Sequence, residues 1–144
     1  AKQALRHLKS LASRIQHRGK PLLELPSFRQ RVVKAELELM ALEVTNLRVI
    51  AAARDGGVPG AESSLLKVRG SELRQELSEL TRRALGPAAL PFFPDFLHGE
   101  GSLDDERAQS AAASAQYFNR RKLSIYGGAN EIQKSIVAKT ILNM

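Results

Sequence analysis

The chain has 144 residues, 43% of them hydrophobic and 26% charged, so it can bury one globular core but not two. It has neither a run of about 18 apolar residues nor an export signal, which predicts a cytoplasmic protein that does not span a membrane. The absence of cysteine excludes disulfides and thiol nucleophiles, while the net charge of +7 leaves nucleic acid, an anionic membrane surface and phosphate-bearing small molecules open.

The first two predicted helices follow from apolar residues at helical spacing. The first helix should end at residues 18–21, where glycine and proline stop it; its buried stripe consists of Leu5, Leu8, Ala12 and Ile15. A capping box formed by Ser27 and Gln30 predicts the start of the second helix, and we expect its end near residues 55–57. Two adjacent apolar stripes are typical of a helix at the centre of a bundle. They are Phe28, Val32, Ala35, Leu39 and Leu42, and Val33, Leu37, Met40, Val44, Leu47 and Ala51.

The third helix is predicted from a single apolar stripe and should be more peripheral than the second, ending at residues 86–87. Its stripe consists of Leu66, Leu73, Leu77, Leu80 and Ala84. Residues 87–103 form a long irregular connection with the apolar run LPFFPDFL. Such a connection either folds back over its own core or packs against another domain.

Two helix starts are predicted in the last third of the chain. A short helix is expected after Ser102, because the acidic residues of positions 104–106 are favourable at the positive end of a helix dipole. A last helix should follow Gly128 and bury Ile132 and Ile136. No strand-like alternation is present. We therefore predict an all-α fold, an antiparallel four-helix bundle with an extra short helix.

The charged residues and histidines exclude two classes of site. Basic residues are mostly interleaved with acidic ones, which does not favour a nucleic-acid surface. The histidines, His7, His17 and His98, lie far apart in the sequence, so no metal site is predicted. We expect neither nucleic acid nor a membrane as a partner.

A pair of glycines, Gly127 and Gly128, directly precedes the last predicted helix. Backbone N–H groups at a helix start lack intrahelical partners and lie at the positive end of the dipole, so this turn can receive a phosphate or a carbonyl oxygen. On spacing alone, a plain connection between elements is the commoner role of such a turn.

The segment SIYGGANEIQKSIVAKTIL, residues 124–142, resembles the terminal segment of the flavin-dependent acyl-CoA dehydrogenases. That family has Ile-Tyr, Glu or Gly, Gly, a small residue, two further residues and Ile-Gln. The stretch GKPLLELPSFRQRVVKAELELMALEVTNLRVIAAARDGG is similar to the second helix of the family's carboxy-terminal domain, and the resemblance covers essentially the whole chain. Bacterial members of the pimeloyl-CoA dehydrogenase large-subunit type resemble it most. Residues 1–144 are therefore expected to be one carboxy-terminal helical domain, a fragment of a longer chain that begins inside an amphipathic repeat.

The resemblance implies an oxidoreductase of fatty acid or lipid metabolism that dehydrogenates an acyl-CoA thioester at its alpha and beta carbons. In the family, a glutamate removes the alpha proton while a hydride passes from the beta carbon to the flavin. FAD is bound mainly by domains that this chain lacks, so the chain is expected to form one wall of the flavin and substrate pocket. The implied partners are an acyl-CoA, an electron-transfer flavoprotein or similar acceptor, and further subunits in a homo- or hetero-oligomer.

The resemblance assigns flavin-binding positions but no catalytic residue. The implied cofactor contacts are Tyr126, Gly127, Gly128, Asn130 and Glu131. Gly127 occupies one family position of the glutamate base, and glycine cannot accept a proton. Glu131 is better explained by a favourable contact with the helix dipole than by a catalytic role. The base could lie upstream of Ala1, the parent could be an inactive partner subunit, or the chain could be a non-catalytic helical interaction module.

The segments that correspond to the family's flavin-diphosphate turns depart from the family pattern. Residues 15–19 and 86–89 lack the family's arginine and most of its glycines. Arg18 or Arg83 could contact the diphosphate instead, or each could be a solvated surface charge.

Overall fold

The computed structural model of the chain describes residues 1–54 and 60–142. This part contains six α-helices: α1 Lys2–Arg14, α2 Pro26–Arg54, α3 Ala61–Leu85, α4 Pro94–His98, α5 Asp105–Arg120 and α6 Asn130–Leu142. The predicted all-α fold is confirmed. Among the described helices, none is long and apolar enough to cross a membrane.

A two-stranded hairpin joins α1 to α2, contrary to the expectation of no strand. Strands β1, Gln16–His17, and β2, Lys20–Pro21, pair antiparallel. The turn residues Arg18 and Gly19 both have positive φ, +51° and +77°. Such values at both central positions are required in the two-residue hairpin turn that matches the twist of the strands. Strands of two residues are too short to show an alternating pattern, which is why the sequence did not reveal them.

The hydrophobic core lies between α1, α2 and α3. Leu8 and Leu80 are fully buried, and Leu73 and Leu77 are each only 1% exposed. The complete cluster consists of Leu5, Leu8, Leu11, Val32, Ala35, Leu73, Leu77, Leu80 and Ala84. The predicted stripe of α1 and the first stripe of α2 therefore face the core, as does the predicted stripe of α3 except for the half-buried Leu66.

Ion pairs between α2 and α3 show that these helices are antiparallel. Arg31 Nη2 lies 2.8 Å from Glu76 Oε1, and Arg69 pairs with Glu38. Residue numbers therefore rise along α2 as they fall along α3. The corresponding pairs between α1 and α2 are Lys2–Glu43 and Lys9–Glu36, which also describe an antiparallel arrangement.

The central helix is α3, so the prediction that α2 would be central is wrong. α3 packs against α1, α2, α5 and α6. The second apolar stripe of α2 faces outward, with Leu37, Val44 and Leu47 59–65% exposed. Only one of the two stripes of α2 is therefore covered within the described part of this chain.

Small polar residues allow α3 to contact several helices at once. Ser64, Ser71 and Ser78 repeat every seven residues and are buried. Each short side chain leaves room for a neighbouring helix. Two of the hydroxyls are satisfied by their own helix, since Ser71 donates to the Val68 carbonyl at 2.8 Å and Ser78 to the Gln75 carbonyl at 2.7 Å. α3 was expected at the periphery because it carries only one stripe of large apolar residues, and its further contacts use serines.

One predicted helix end is confirmed, one is wrong, and one start is shifted. The first helix was expected to end at residues 18–21, but α1 ends at Arg14 because residues 16–21 form the hairpin. α3 ends at Leu85 and α6 begins two residues after Gly128. α2 begins at Pro26, which suits the first helical position because it has no N–H to satisfy. Ser27 therefore lies inside the first turn and is not the capping residue. The predicted end of α2 at residues 55–57 lies outside the described residues.

The connection after α3 and the helix that follows it differ from the expectation. The short helix is α4, within residues 87–103, where Phe92 is 76% exposed and Phe93 half-buried. The helix predicted to be short is α5, which spans 16 residues. Its start is as predicted, since Asp104 accepts a hydrogen bond from the Arg107 backbone N–H at 2.8 Å.

Candidate functional site

The candidate site is the turn between the last two long helices, residues 126–129, called here the glycine turn. A 3₁₀ turn, Arg121–Ser124, leads into it from α5. Gly127 and Gly128 have φ of +66° and +84°, a region that residues with a side chain rarely adopt. The two glycines are thus required by the backbone. They are exposed together with Tyr126, which is 59% exposed.

Lys67 of α3 binds the inner side of the glycine turn. Its Nζ donates to the Gly128 carbonyl at 2.5 Å, to Asn130 Oδ1 at 2.7 Å and, more weakly, to the Ser124 carbonyl at 3.4 Å. An ammonium group has three protons, and these three oxygens can accept all of them. Lys67 therefore connects the 3₁₀ turn, the glycine turn and the start of α6 to the central helix.

Asn130 is a buried bridge between α6 and α3, with only 4% of its surface exposed. Its Nδ2 donates to Ser71 Oγ at 3.0 Å, while its Oδ1 accepts from Lys67. These two partners fix the orientation of the amide. The side chain is directed at α3, so the predicted flavin contact of Asn130 would have to use its backbone.

The other predicted residues lie at different places in the fold. Glu131 is exposed in the first turn of α6. Arg18 is exposed in the hairpin turn, and Arg83 pairs with Glu79 of its own helix at 2.7 Å. In the described part of the chain, no hydrogen bond or ion pair joins either arginine to the glycine turn. Their contact with a flavin diphosphate stays a prediction.

The predicted burial of two isoleucines on α6 is wrong. Ile132 and Ile136 are 58% and 40% exposed. The helix meets α3 through Asn130, and Lys134 Nζ lies 3.8 Å from Glu72 Oε1 of α3. Because Asn130 takes the inward position at the helix start, the isoleucines two and six residues later are directed away from α3.

A groove of about 540 Å³ opens beside Tyr126, between α2, α3 and the 3₁₀ turn. Its wall combines apolar residues with two cations, Lys67 and Arg74; the apolar residues include Leu42, Leu66, Leu73 and Leu123. Burial lowers the pKa of the nearby Arg120 guanidinium, and the charge of Arg74 lowers it further. Arginine nevertheless remains charged at neutral pH, so this side of the bundle has a positive potential.

Sequence analysis did not identify Lys67 or Ser71 as site residues. They lie about 60 positions before the glycine turn, and no local motif connects the two segments. The seven-residue spacing of Ser64, Ser71 and Ser78 marks the packed face of α3, and Lys67 lies on that face. That spacing was the available signal.

Comparison with known proteins identifies the family. The profile described as "Acyl-CoA dehydrogenase, C-terminal domain" matches residues 1–142. The chain belongs to this family. The family resemblance predicted from the terminal segment is therefore confirmed. The helical fold described above is that of the acyl-CoA dehydrogenase C-terminal domain. A comparison with curated proteins finds no match.

Three solved structures illustrate the fold that this chain shares. The FAD complex of PigA has a TM-score of 0.75 at 20% identity, covering 96% of this chain and 32% of that one. The ChsE4-ChsE5 complex from Mycobacterium tuberculosis has 0.71 at 23%, covering 99% and 35%. Butyryl-CoA dehydrogenase from Megasphaera elsdenii has 0.69 at 15%, covering 98% and 32%. At these identities the likeness concerns the fold, and the chain spans about a third of each solved chain.

Proposed function

We propose that this chain is the C-terminal domain of an FAD-dependent acyl-CoA dehydrogenase and forms one wall of its flavin and substrate pocket. The family match supports the class of enzyme. The observation that supports the wall is the two-sided character of the glycine turn. Its inner carbonyls accept hydrogen bonds from Lys67 and Gln133, whereas Tyr126, Gly127 and Gly128 are exposed on the outer side. A domain that completes a shared pocket needs a surface of this kind, whose inner side is fixed by hydrogen bonds and whose outer side is free to contact a ligand.

In this proposal the residues of this chain contact the cofactor and do not take part in proton transfer. A Cβ atom at Gly127 would have nothing within 4 Å, so there is room for a group at the outer side of the turn. Tyr126, Gly127, Gly128 and the backbone of Asn130 and Glu131 would contact FAD, which accepts the hydride when bound. Proton removal from the acyl-CoA requires a carboxylate, and we assign it to a residue outside this chain. An electron-transfer flavoprotein is the proposed acceptor.

We further propose that this domain takes part in subunit association through α2. Val33, Leu37, Met40, Val44 and Leu47 form an exposed stripe at alternating steps of four and three residues, 43–65% exposed. This spacing is that of a helix seam that packs against another helix. A second copy is the proposed occupant, because the bundle leaves this face of α2 without a partner in the described residues.

The experiment that tests the pocket wall compares flavin absorbance of this chain and of a full-length parent after gel filtration. A few backbone donors, each worth about 1 kcal/mol, do not offset the loss of rotational and translational freedom on binding. The chain should be colourless and the parent yellow. Stoichiometric flavin on the chain alone would show that it is not merely one wall of a pocket.

In the same parent, Gly128→Val should lower flavin retention with little change in helical content. The new Cβ would lie 2.6 Å from Gln133 Nε2, the end of a flexible side chain that can move aside. The φ of +84° disfavours valine, so we expect the strained backbone to alter the turn. Gly99→Val is a matched control, because Gly99 also has a positive φ of +82°, has open space around it and lies after α4. Equal flavin loss in both variants would contradict the proposal.

An inactive partner subunit is the second candidate, and it is favoured by the glycine at position 127. The two candidates differ in turnover of acyl-CoA thioesters by the purified parent. Gly127→Glu should add no activity where a working base lies upstream. A gain of turnover in that variant would identify the parent as a subunit without its own base.

A further inference from the structure

We infer that Lys67 is a positioning residue for the glycine turn, one that sets the direction in which the turn presents its backbone donors. The inference rests on the proposed function in one respect, that a ligand meets the outer side of the turn. The geometry of the turn itself does not depend on that proposal.

Peptide geometry links Lys67 to the outer side of the turn. In a planar trans peptide the C=O and N–H groups point in opposite directions. The Gly128 carbonyl is directed at Lys67 Nζ, 2.5 Å away, so the N–H of Ala129 points away from α3. The Gly127 carbonyl accepts from Gln133 Nε2 at 3.4 Å, and the N–H of Gly128 points away from that side chain. Rotation of either peptide would exchange a donor for an acceptor at the outer surface.

The glycine pair makes such a restraint necessary. Glycine populates both signs of φ with little energetic difference, so two adjacent glycines do not by themselves define one orientation of the peptides. Lys67 contacts oxygen atoms from three successive segments, those of Ser124, Gly128 and Asn130. A charged donor makes stronger hydrogen bonds than a neutral one. One side chain therefore fixes the entry, the middle and the exit of the turn.

The position of Lys67 suits this role. It lies half-buried on α3, the helix that packs against four others, so its backbone is held by the core. Ser71, one turn later, fixes the Asn130 amide so that Oδ1 faces Lys67. All three partners of Nζ are neutral oxygens, so the positive charge remains available to attract an anionic ligand at the turn.

Chemical rescue on this chain tests the positioning role without any flavin. The chain has no cysteine, so Lys67→Cys gives a single thiol. Alkylation of that thiol in the unfolded variant with an aminoethyl group, followed by refolding, restores an ammonium of nearly the length of lysine. A propyl group restores the length alone. The readout is the NMR chemical shifts of the Gly127, Gly128 and Ala129 amides. Hydrogen exchange is followed at Tyr126 and Gln133, whose N–H groups donate to the Lys122 and Ala129 carbonyls on either side of the turn.

We expect the propyl form to show shifted turn amides and about tenfold faster exchange of the Tyr126 and Gln133 amides, because the charged hydrogen bonds that hold the turn are lost. The aminoethyl form should return both to wild-type values. Lys34→Met on the exposed face of α2 serves as the control and should leave these amides unchanged. Turn amides that are the same in the propyl and aminoethyl forms would overturn the inference.

A second measurement connects the turn to the cofactor. In the full-length parent, Lys67→Met should weaken flavin binding by about tenfold with the helical content retained, and Lys34→Met should not. Loss of flavin in neither variant, with the turn amides of Lys67→Met displaced, would place the flavin elsewhere. That result would contradict the proposed function and leave Lys67 as a positioning residue of the turn alone.

Discussion

Asn130 is a buried polar residue whose amide is satisfied on both sides, by Lys67 and by Ser71. Asn130→Ala would leave the Lys67 ammonium short of one acceptor and the Ser71 hydroxyl without its donor. We expect the free energy of unfolding to fall by about 1–3 kcal/mol, the usual cost of leaving buried polar groups unpaired. Denaturant unfolding monitored by circular dichroism measures this. Asn46→Ala, at an exposed position of α2, should change stability by no more than about 0.5 kcal/mol.

A loss of stability in Asn130→Ala as small as that of Asn46→Ala would contradict the bridging role. It would indicate that water replaces the amide without cost, and that α6 is held to α3 by its other contacts. The two asparagines are a fair pair because both are helical and differ mainly in burial.

For individual residues, the sequence predicted where the turn lies along the chain but not which side chains of other helices bind it. The segment from Tyr126 to Glu131 was located by its residue pattern, and the need for glycine at positions 127 and 128 agrees with their positive φ. The role of Asn130 depends on Lys67 and Ser71, which are distant in sequence. Such contacts form only when two helices pack, so no local pattern predicts them.

The central helix, α3, contains a glycine in its interior, so a substitution there tests how backbone preference affects the stability of a single helix. Gly70 lies in the middle of α3, and a Cβ there would meet nothing within 4 Å. Gly70→Ala should raise the free energy of unfolding by about 0.5–1 kcal/mol, because alanine loses less backbone entropy in a helix. Thermal unfolding of the chain measures it.

The matched comparison is Gly127→Ala, which also has open space around the new Cβ but a φ of +66°. That substitution should lower stability by about 1–2 kcal/mol, since a left-handed backbone disfavours residues with a Cβ. The opposite signs separate backbone preference from crowding. A stabilising effect at both positions would show that the positive φ of Gly127 is not required.

The apolar spacing predicted that the main helices exist, but it did not predict which of them is central in the bundle. The stripes of α1 and of the first face of α2 were read correctly because Leu8 and Val32 are both large and buried. The number of helices that pack against α3 was underestimated, because its further contacts use serines. Serine is small enough for close helix packing, but its polarity is typical of a solvent-exposed residue. Packing between small residues is decided by the neighbour, which a single sequence does not show.

At the scale of the whole molecule, the fold and the family followed from the sequence, while the distribution of exposed apolar surface did not. The second stripe of α2 was expected to be covered by a neighbouring helix of the same chain. Instead Leu47 is 65% exposed, and Ile132 on α6 is 58% exposed. Apolar spacing indicates that a face is buried against something. It cannot distinguish a helix of this chain from another subunit or domain.

The exposed stripe of α2 leads to a prediction for the isolated chain. Fully burying an apolar side chain contributes about 1.5–3 kcal/mol, and the five residues of the stripe together can offset the entropy lost on association. We expect the chain to be dimeric or larger at tens of micromolar in sedimentation equilibrium. Leu37→Glu combined with Leu47→Glu should give a monomer of unchanged helical content, because two carboxylates would be desolvated at the seam.

The matched control is Asn46→Glu combined with Ala53→Glu, which adds the same charge at exposed positions of α2 that lie seven residues apart, outside the stripe. This variant should associate like the wild type. Association lost equally in both variants would attribute the effect to net charge, and a strictly monomeric wild type would contradict a second copy as the occupant of the stripe. Both variants keep the core residues of α2, Val32 and Ala35, and differ only in which face of the helix receives the charges. A difference in their association can therefore be attributed to the stripe.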